Sequence, residues 1–191
     1  MRSKNEFLEF VQNNFEYEED DVLDIGGYKR YSSEVDMRRK DLVKKYAWGI
    51  PNQQAVELIV ENDPVVEIGA GSGYWAYLVD EGGGDILAFD NNDREYEEEW
   101  FNVNYGSAEI ATEFPDRSLF LCWPEYHNDM GEIAVENYDG QCIILVGESI
   151  SGCTGTTDMY RMIESTYELE KTIEIPNWFG IRDKLHLYKR S

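Results

Sequence analysis

Apolar and polar residues follow two rhythms along this chain, and the change falls near Asp63. Before it, apolar residues recur every three or four positions, the spacing of one helix face. Phe7, Leu8 and Val11 form one such set, behind a Ser3/Glu6 pair spaced as a helix-initiating capping box. Val35, Leu42, Val43 and Tyr46 form a second and predict a helix starting after Ser33. Ala55, Val56, Ile59 and Val60 form a third, predicted to open at Pro51, whose fixed φ suits a first helical turn. Residues 17–33, "YEEDDVLDIGGYKRYSS", read as loop.

Beyond Asp63, short apolar runs alternate with helical stretches. "PVVEIGA", "GGGDILAFD", "NVNYGSA", "SLFLCWP" and "GQCIILVGES" read as strands. "YWAYLVDE", "NDREYEEEWF", "NDMGEIAVENY" and "TTDMYRMIESTYELE" read as helices. Strands linked by crossover helices form parallel sheets, which are buried on both faces and therefore use continuous apolar runs. The last two strands, "KTIEIPNW" and "DKLHLYKR", are separated only by "FGIR", too short for a crossover, so they pair antiparallel. The expected fold is α/β: a three-layer sandwich around a mostly parallel seven-stranded sheet with an antiparallel C-terminal strand, plus N-terminal helices. Residues 1–191 read as one domain, with 1–63 a helical extension or lid and 64–191 the core.

Charge sharpens this picture. The chain carries 39 acidic and 17 basic residues, a net charge of −22. A field of that sign repels polyanions, so nucleic acid is disfavoured as a partner. The one basic grouping, "RRKDLVKK" over 38–45, suits a solvated helix face. The acids are spread along an aromatic-rich chain, unlike a disordered acidic tail. They suit either a plain solvated surface or adaptation to high salt, where screening over about 3 Å at 1 M cancels self-repulsion. No apolar run nears the roughly 20 residues of a membrane span, and no secretion signal is read at the N-terminus. The expectation is a soluble, cytoplasmic protein. Cys122, Cys142 and Cys153 lack paired or zinc-like spacing, so a reduced compartment and no structural metal are expected.

The chemistry-bearing stretch is "VVEIGAGSGYWAYL", residues 65–78. Gly69-Ala70-Gly71-Ser72-Gly73 follows the first strand of the α/β region, where such sheets bind ligands beyond their carboxyl edge. Glycines there permit a sharp turn and let a ligand meet bare backbone, although a tight corner alone would also use them. Asp90 ends the second strand, placed to accept both hydroxyls of a ribose. Glu67, inside the first strand, is a costly acid to bury without hydrogen-bond work. A dinucleotide fingerprint needs a small residue at position 74, which Tyr74 is not.

With these residues in view, E-x-G-x-G-x-G resembles the first motif of class I S-adenosylmethionine-dependent methyltransferases, and Asp90 resembles their second. The similarity runs in order from about residue 46 to 190. It takes in "VNYGSA" beside the adenine, "FPDRSLFLCWP" as the acidic turn and fourth strand, and the terminal antiparallel pair, which nicotinamide-binding folds lack. "YAWGIPNQQAVELI", "CWPEY" and "VGESISGCT" further resemble a small methyltransferase-like subgroup, a likeness that carries no substrate. The resemblance implies a Rossmann-like core and S-adenosylmethionine as cofactor. Its contacts would come from Glu67, Gly69, Ala70, Gly71, Gly73, Trp75, Asp90, Asn91, Ser107 and Trp123. Glu67 would orient the donor's amino acid end, Asp90 would hold the ribose and Ser107 would lie near the adenine.

Methyl transfer is an in-line displacement that requires alignment, exclusion of water and, for a weak nucleophile, a base. "WPEY" partly resembles the [DN]-P-P-[YF] motif of amino-methylating enzymes, but Trp123 cannot accept a hydrogen bond from a target amine, and Glu125 replaces the second proline. Trp123 and Tyr126 read either as stacking surfaces or as rim packing. His127 reads either as a general base, with Glu125 or Asp129 beside it, or as an exposed loop residue, and His186 as solvent-facing. Glu125, Tyr126 and His127 are the candidate catalytic residues. Tyr46, Trp48 and Ile50 form either a lid over the donor or a seam between the N-terminal helices and the sheet. The leading expectation is methyl transfer to a small molecule or protein; the alternatives are a catalytically silent module of the same fold and a nucleic-acid amino-methyltransferase.

Overall fold

The computed structural model describes residues 5–13, 33–93, 96–150, 152–178 and 180–191. The capping box at Ser3 lies outside them, as does the loop reading of 17–33 apart from Ser33. Strands β1 (Val65–Ile68), β2 (Ile86–Asp90), β3 (Val103–Tyr105), β4 (Ser118–Cys122), β5 (Cys142–Gly147), β6 (Tyr167–Glu174) and β7 (Lys184–Arg190) form one sheet in the order β3-β2-β1-β4-β5-β7-β6. β1 to β5 run parallel, and β7 pairs antiparallel with both β5 and β6. Helices α1 (Glu6–Asn13), α2 (Ser33–Lys45), α3 (Gln53–Val60) and α4 (Tyr74–Glu81) share one core with one face of the sheet. A 3-10 turn (Ala108–Glu113), α5 (Met130–Glu136) and α6 (Thr157–Thr166) cover the other face. The expected three-layer sandwich is the observed fold.

The layers follow from strand pleating, which sends successive side chains to opposite faces. Val65, Phe120, Ile144 and Val146 join the core with Phe7, Leu42, Ile59 and Trp75. Their neighbours Val66, Leu119, Ile143 and Leu145 join Ala134, Met159 and Ile163. Glu67 has the parity of Val65 and so enters the first core among apolar groups. β6, at the sheet edge, is mostly exposed and carries a bulge between Leu169 and Lys171. Its charges and bulge discourage pairing with another chain.

At the start of α1, Asn5 Oδ1 accepts the Leu8 N–H at 3.0 Å. Three local readings are corrected. Helix α3 starts after Asn52, not at Pro51, because the Asn52 side chain accepts the Ala55 N–H at 2.9 Å. "NDREYEEEWF" is not helical over its described residues. The Trp100 N–H instead reaches Ser72 O at 2.9 Å and its indole N–H reaches Lys45 O at 2.6 Å, contacts that an adjacent run of like-charged glutamates could not outweigh as helix. Helix α6 stops at Thr166 and β6 begins at Tyr167, earlier than expected. Tyr167 is buried and donates to Gly140 O at 3.0 Å, so tertiary contacts favour the strand.

Candidate functional site

From β1 the chain moves to one side for β2 and β3, then to the other for β4 and β5. The crevice between β1 and β4 is therefore the point where strand order reverses. A cavity of about 440 Å³ opens there, lined by the glycine corner and by residues from the ends of β2 and β4. Gly69, Gly71 and Gly73 all have positive φ, at 74°, 57° and 76°. At Gly71 the Tyr96 ring fills the place of a side chain, with its hydroxyl 3.0 Å from where a Cβ would stand.

Asp90, 8% exposed, ties the corner to β2. Its Oδ2 accepts the Gly71 N–H at 2.9 Å and its Oδ1 the Asn92 N–H at 2.8 Å. Each oxygen retains a second lone pair, and the residue lines the cavity. Glu67 is 1% exposed, and its Oε2 has no hydrogen-bond partner among the described residues. Burial first, and the Asp90 charge second, push its carboxyl well above the usual range. An orphaned buried polar atom costs about 1–3 kcal/mol, so this oxygen is a standing invitation to a ligand group.

The cavity is lined by Glu67, Asp90, Asp93, Glu109, Glu125 and Asp129 and, among the described residues, by no Lys, Arg or His. Ser107 lies beside Glu109, and its hydroxyl holds that carboxyl below the usual range. Asn91 lines the cavity and is tethered through its Nδ2 to Asp93 at 2.6 Å. Ala70 and Trp75 line it too, the Trp75 indole N–H donating to Gly49 O at 3.2 Å.

The far wall is Tyr46, Ala47 and Trp48, in a stretch whose carbonyls from Lys45 to Gly49 are held by indoles and a hydroxyl. Trp100 donates to Lys45 O, the Ser72 hydroxyl to Tyr46 O, Trp178 to Trp48 O at 2.6 Å and Trp75 to Gly49 O. This segment is at once the seam between helices and sheet and a wall of the cavity. Trp48 stacks on Trp123 with centroids 4.5 Å apart and planes 12° from parallel. Trp123 has φ 56°, sparsely populated for so bulky a residue, and its indole N–H donates to Asp183 Oδ2 at 2.5 Å.

The three residues after β4 separate. Glu125 lines the cavity, its Oε2 accepting from Asn128 Nδ2 at 2.7 Å. Tyr126 is 49% exposed with its ring against His127 at 3.5 Å, and neither lines this cavity. Tyr126 borders instead a neighbouring groove of about 1020 Å³ beside β6 and β7. His186 is half-buried on the wall of that groove: its Nδ1 lies 3.2 Å from the Thr172 hydroxyl, and burial lowers its pKa. No group of metal-binding residues assembles among the described residues. Cys122, Cys142 and Cys153 are unpaired. Burial pushes the Cys122 thiol well up and the Cys153 thiol to about 12, so neither is poised as a thiolate.

Sequence reasoning missed Asp183 and Tyr96 as parts of this site. Nothing local marks Asp183, because its partner Trp123 lies 60 residues away. Burial raises its pKa to about 7, and Glu148 faces it as a like charge. Cys122, Cys153 and Tyr160 are weaker acids around it. A folded-state pKa above the unfolded value means that folding takes up a proton. The stabilisation is complete below the ordinary carboxylate pKa of about 4 and is lost as pH rises through about 7. The loss at this site is at most roughly 4 kcal/mol. Urea denaturation between about pH 4.5 and pH 8 is expected to show stability falling more steeply in the parent protein than in Asp183→Asn.

No protein-family model matches the sequence, and no curated protein matches it significantly. Solved structures do match the fold. The magnesium protoporphyrin IX methyltransferase of Synechocystis PCC 6803, solved with S-adenosylmethionine bound, superposes with a TM-score of 0.54 at 11% identity, over 72% of this chain and 77% of its own. A TehB-like S-adenosylmethionine-dependent methyltransferase from Corynebacterium glutamicum gives 0.50 at 18% identity, over 83% of this chain and 97% of its own. At such identities the likeness is one of fold. In strand order, antiparallel C-terminal pair and layering, the chain has the Rossmann-like fold of the S-adenosylmethionine-dependent methyltransferases.

Proposed function

We propose that the chain binds S-adenosylmethionine in the cavity at the glycine corner and transfers its methyl group to a small-molecule or protein acceptor. The observation that carries this reading is the buried Glu67 oxygen without a partner, set beside the Asp90 carboxylate across a corner of positive-φ glycines. Glu67 orients the amino acid end through the glycine loop. Asp90 accepts the ribose hydroxyls with its free lone pairs, and Asn91 and Ser107 border the adenine. Walls lined by acids and, among the described residues, no bases suit a cationic sulfonium and repel phosphates, which favours neither a nucleotide cofactor nor a nucleic-acid acceptor.

When bound, the donor supplies an electrophilic methyl group. The protein contributes alignment, dryness and a proton acceptor. Trp48 and Trp123 present a rigid apolar wall against which donor and acceptor are aligned. Glu125, which lines the cavity, takes a proton from the acceptor, while Tyr126 and His127 serve from outside it. Tyr46 and Trp48, held by their carbonyls, act as a fixed cover more than as a moving lid.

Isothermal titration with S-adenosylmethionine and with S-adenosylhomocysteine tests the reading. One site per chain with micromolar affinity is expected; absence of heat at millimolar ligand, in both dilute and molar salt, overturns it. A second reading, a binding module without catalysis, draws on Trp123 standing where amino-methylating enzymes place a hydrogen-bond acceptor. It predicts the same heat but no methyl transfer across broad acceptor panels.

A further inference from the structure

We propose that Asp183 is a positioning residue for the cavity: it holds the Trp123 indole flat against Trp48 and thereby fixes the wall that a bound ligand meets. As to the ligand, this rests on the reading above; as to the wall, it stands on geometry alone. Backbone in the left-handed region costs a bulky residue about 1–3 kcal/mol and persists only where surrounding contacts over-determine it. At Trp123 three contacts do so. Its N–H donates to Val146 O at 2.8 Å, its ring stacks on Trp48, and its indole N–H reaches Asp183 at 2.5 Å.

Asp183 is itself held in place. Its N–H donates to Asn177 Oδ1 at 2.5 Å, and Asn177 Nδ2 returns a bond to Asp183 O at 3.2 Å. Asp183 is 1% exposed, its Oδ1 has no partner, and no cation pairs with it among the described residues. A buried, half-used carboxylate is expensive, so its retention calls for a task that offsets the cost. The visible task is the grip on Trp123. The same β6–β7 connection also supplies Trp178, whose indole N–H holds Trp48 O at 2.6 Å. One turn therefore fastens both members of the tryptophan pair, and both line the cavity.

Indoles this close couple excitonically, and with their transition dipoles skewed within the stacked planes they give a circular-dichroism couplet, a signal of the pair and not of general folding. Full-length Asp183→Ala and Asp183→Asn are compared with the parent protein, with Trp48→Phe identifying the couplet. Asp183→Ala is expected to lose the couplet and to bind S-adenosylhomocysteine about tenfold more weakly while keeping its far-ultraviolet spectrum. Asp183→Asn, whose amide oxygen can accept the indole proton, is expected to retain both. An intact couplet in Asp183→Ala overturns the proposal, whatever the affinity. If Asp183→Ala does not fold, the indole N–H resonance of Trp123 in the parent protein, assigned with Trp123→Phe, decides. Slow exchange with solvent supports the bond and free exchange overturns it. Should the parent protein bind no S-adenosylhomocysteine, the methyltransferase reading falls, and the couplet still tests the wall.

Discussion

Replacing Asp90 by alanine is expected to weaken S-adenosylmethionine binding by about two to four orders of magnitude. Two charge-assisted hydrogen bonds to ribose hydroxyls would be lost, each worth about 1.5–3 kcal/mol. The same carboxylate holds the Gly71 and Asn92 N–H groups, so the corner itself loosens. Asp90→Asn separates these effects. Its amide keeps one acceptor oxygen, so a loss of about tenfold to a hundredfold is expected, with a smaller change in melting temperature than in Asp90→Ala. Titration calorimetry and thermal melts on the three proteins check this. Equal affinity in all three would remove Asp90 from the site.

Gly73→Ala is expected to be the most damaging single methyl in the chain's glycine corner. Its φ of 76° is left-handed, and a Cβ would stand 2.9 Å from both Phe101 Cβ and Val103 Cγ2 and 3.2 Å from the Phe101 backbone nitrogen. The neighbours are a chain backbone and a packed strand, which cannot swing aside. Strain of about 1–3 kcal/mol adds to overpacking of about 1–3 kcal/mol, a loss of roughly 3–5 kcal/mol. The melting temperature then falls by about 10 °C. Gly83→Ala is the control. It also has positive φ, at 90°, but nothing lies within 4 Å of its would-be Cβ. It should show the strain alone, about 1–2 kcal/mol, and scanning calorimetry on the two variants distinguishes crowding from backbone preference.

The α/β architecture is legible in the sequence because a sheet covered on both faces demands continuous apolar runs. Those at Val65–Ile68, Ile86–Asp90, Ser118–Cys122 and Cys142–Gly147 are observed strands. That the glycine corner, Glu67 and Asp90 meet at one cavity is legible for a related reason: they stand at the ends of adjacent strands that the sequence already marks. What escapes is set by distant contacts. The Glu-rich stretch before Phe101 has the composition of a helix, yet Trp100 is drawn to carbonyls of Ser72 and Lys45. Tyr74 visibly rules out a dinucleotide fingerprint, but its task appears only in three dimensions. Its hydroxyl accepts the Phe7 N–H at 3.1 Å and donates to Asn5 Oδ1 at 3.0 Å, anchoring α1. Asp183 is an ordinary loop acid until Trp123 arrives beside it.

The carbonyls of Lys45, Tyr46, Trp48 and Gly49 are each pegged by a donor from a different part of the fold. A surface nailed down at so many neighbouring points is ordered when the polypeptide collapses, not when a guest arrives. The entropy of arranging it is therefore spent before any encounter, and affinity is not taxed for it. Discrimination by size on that side is a consequence of folding.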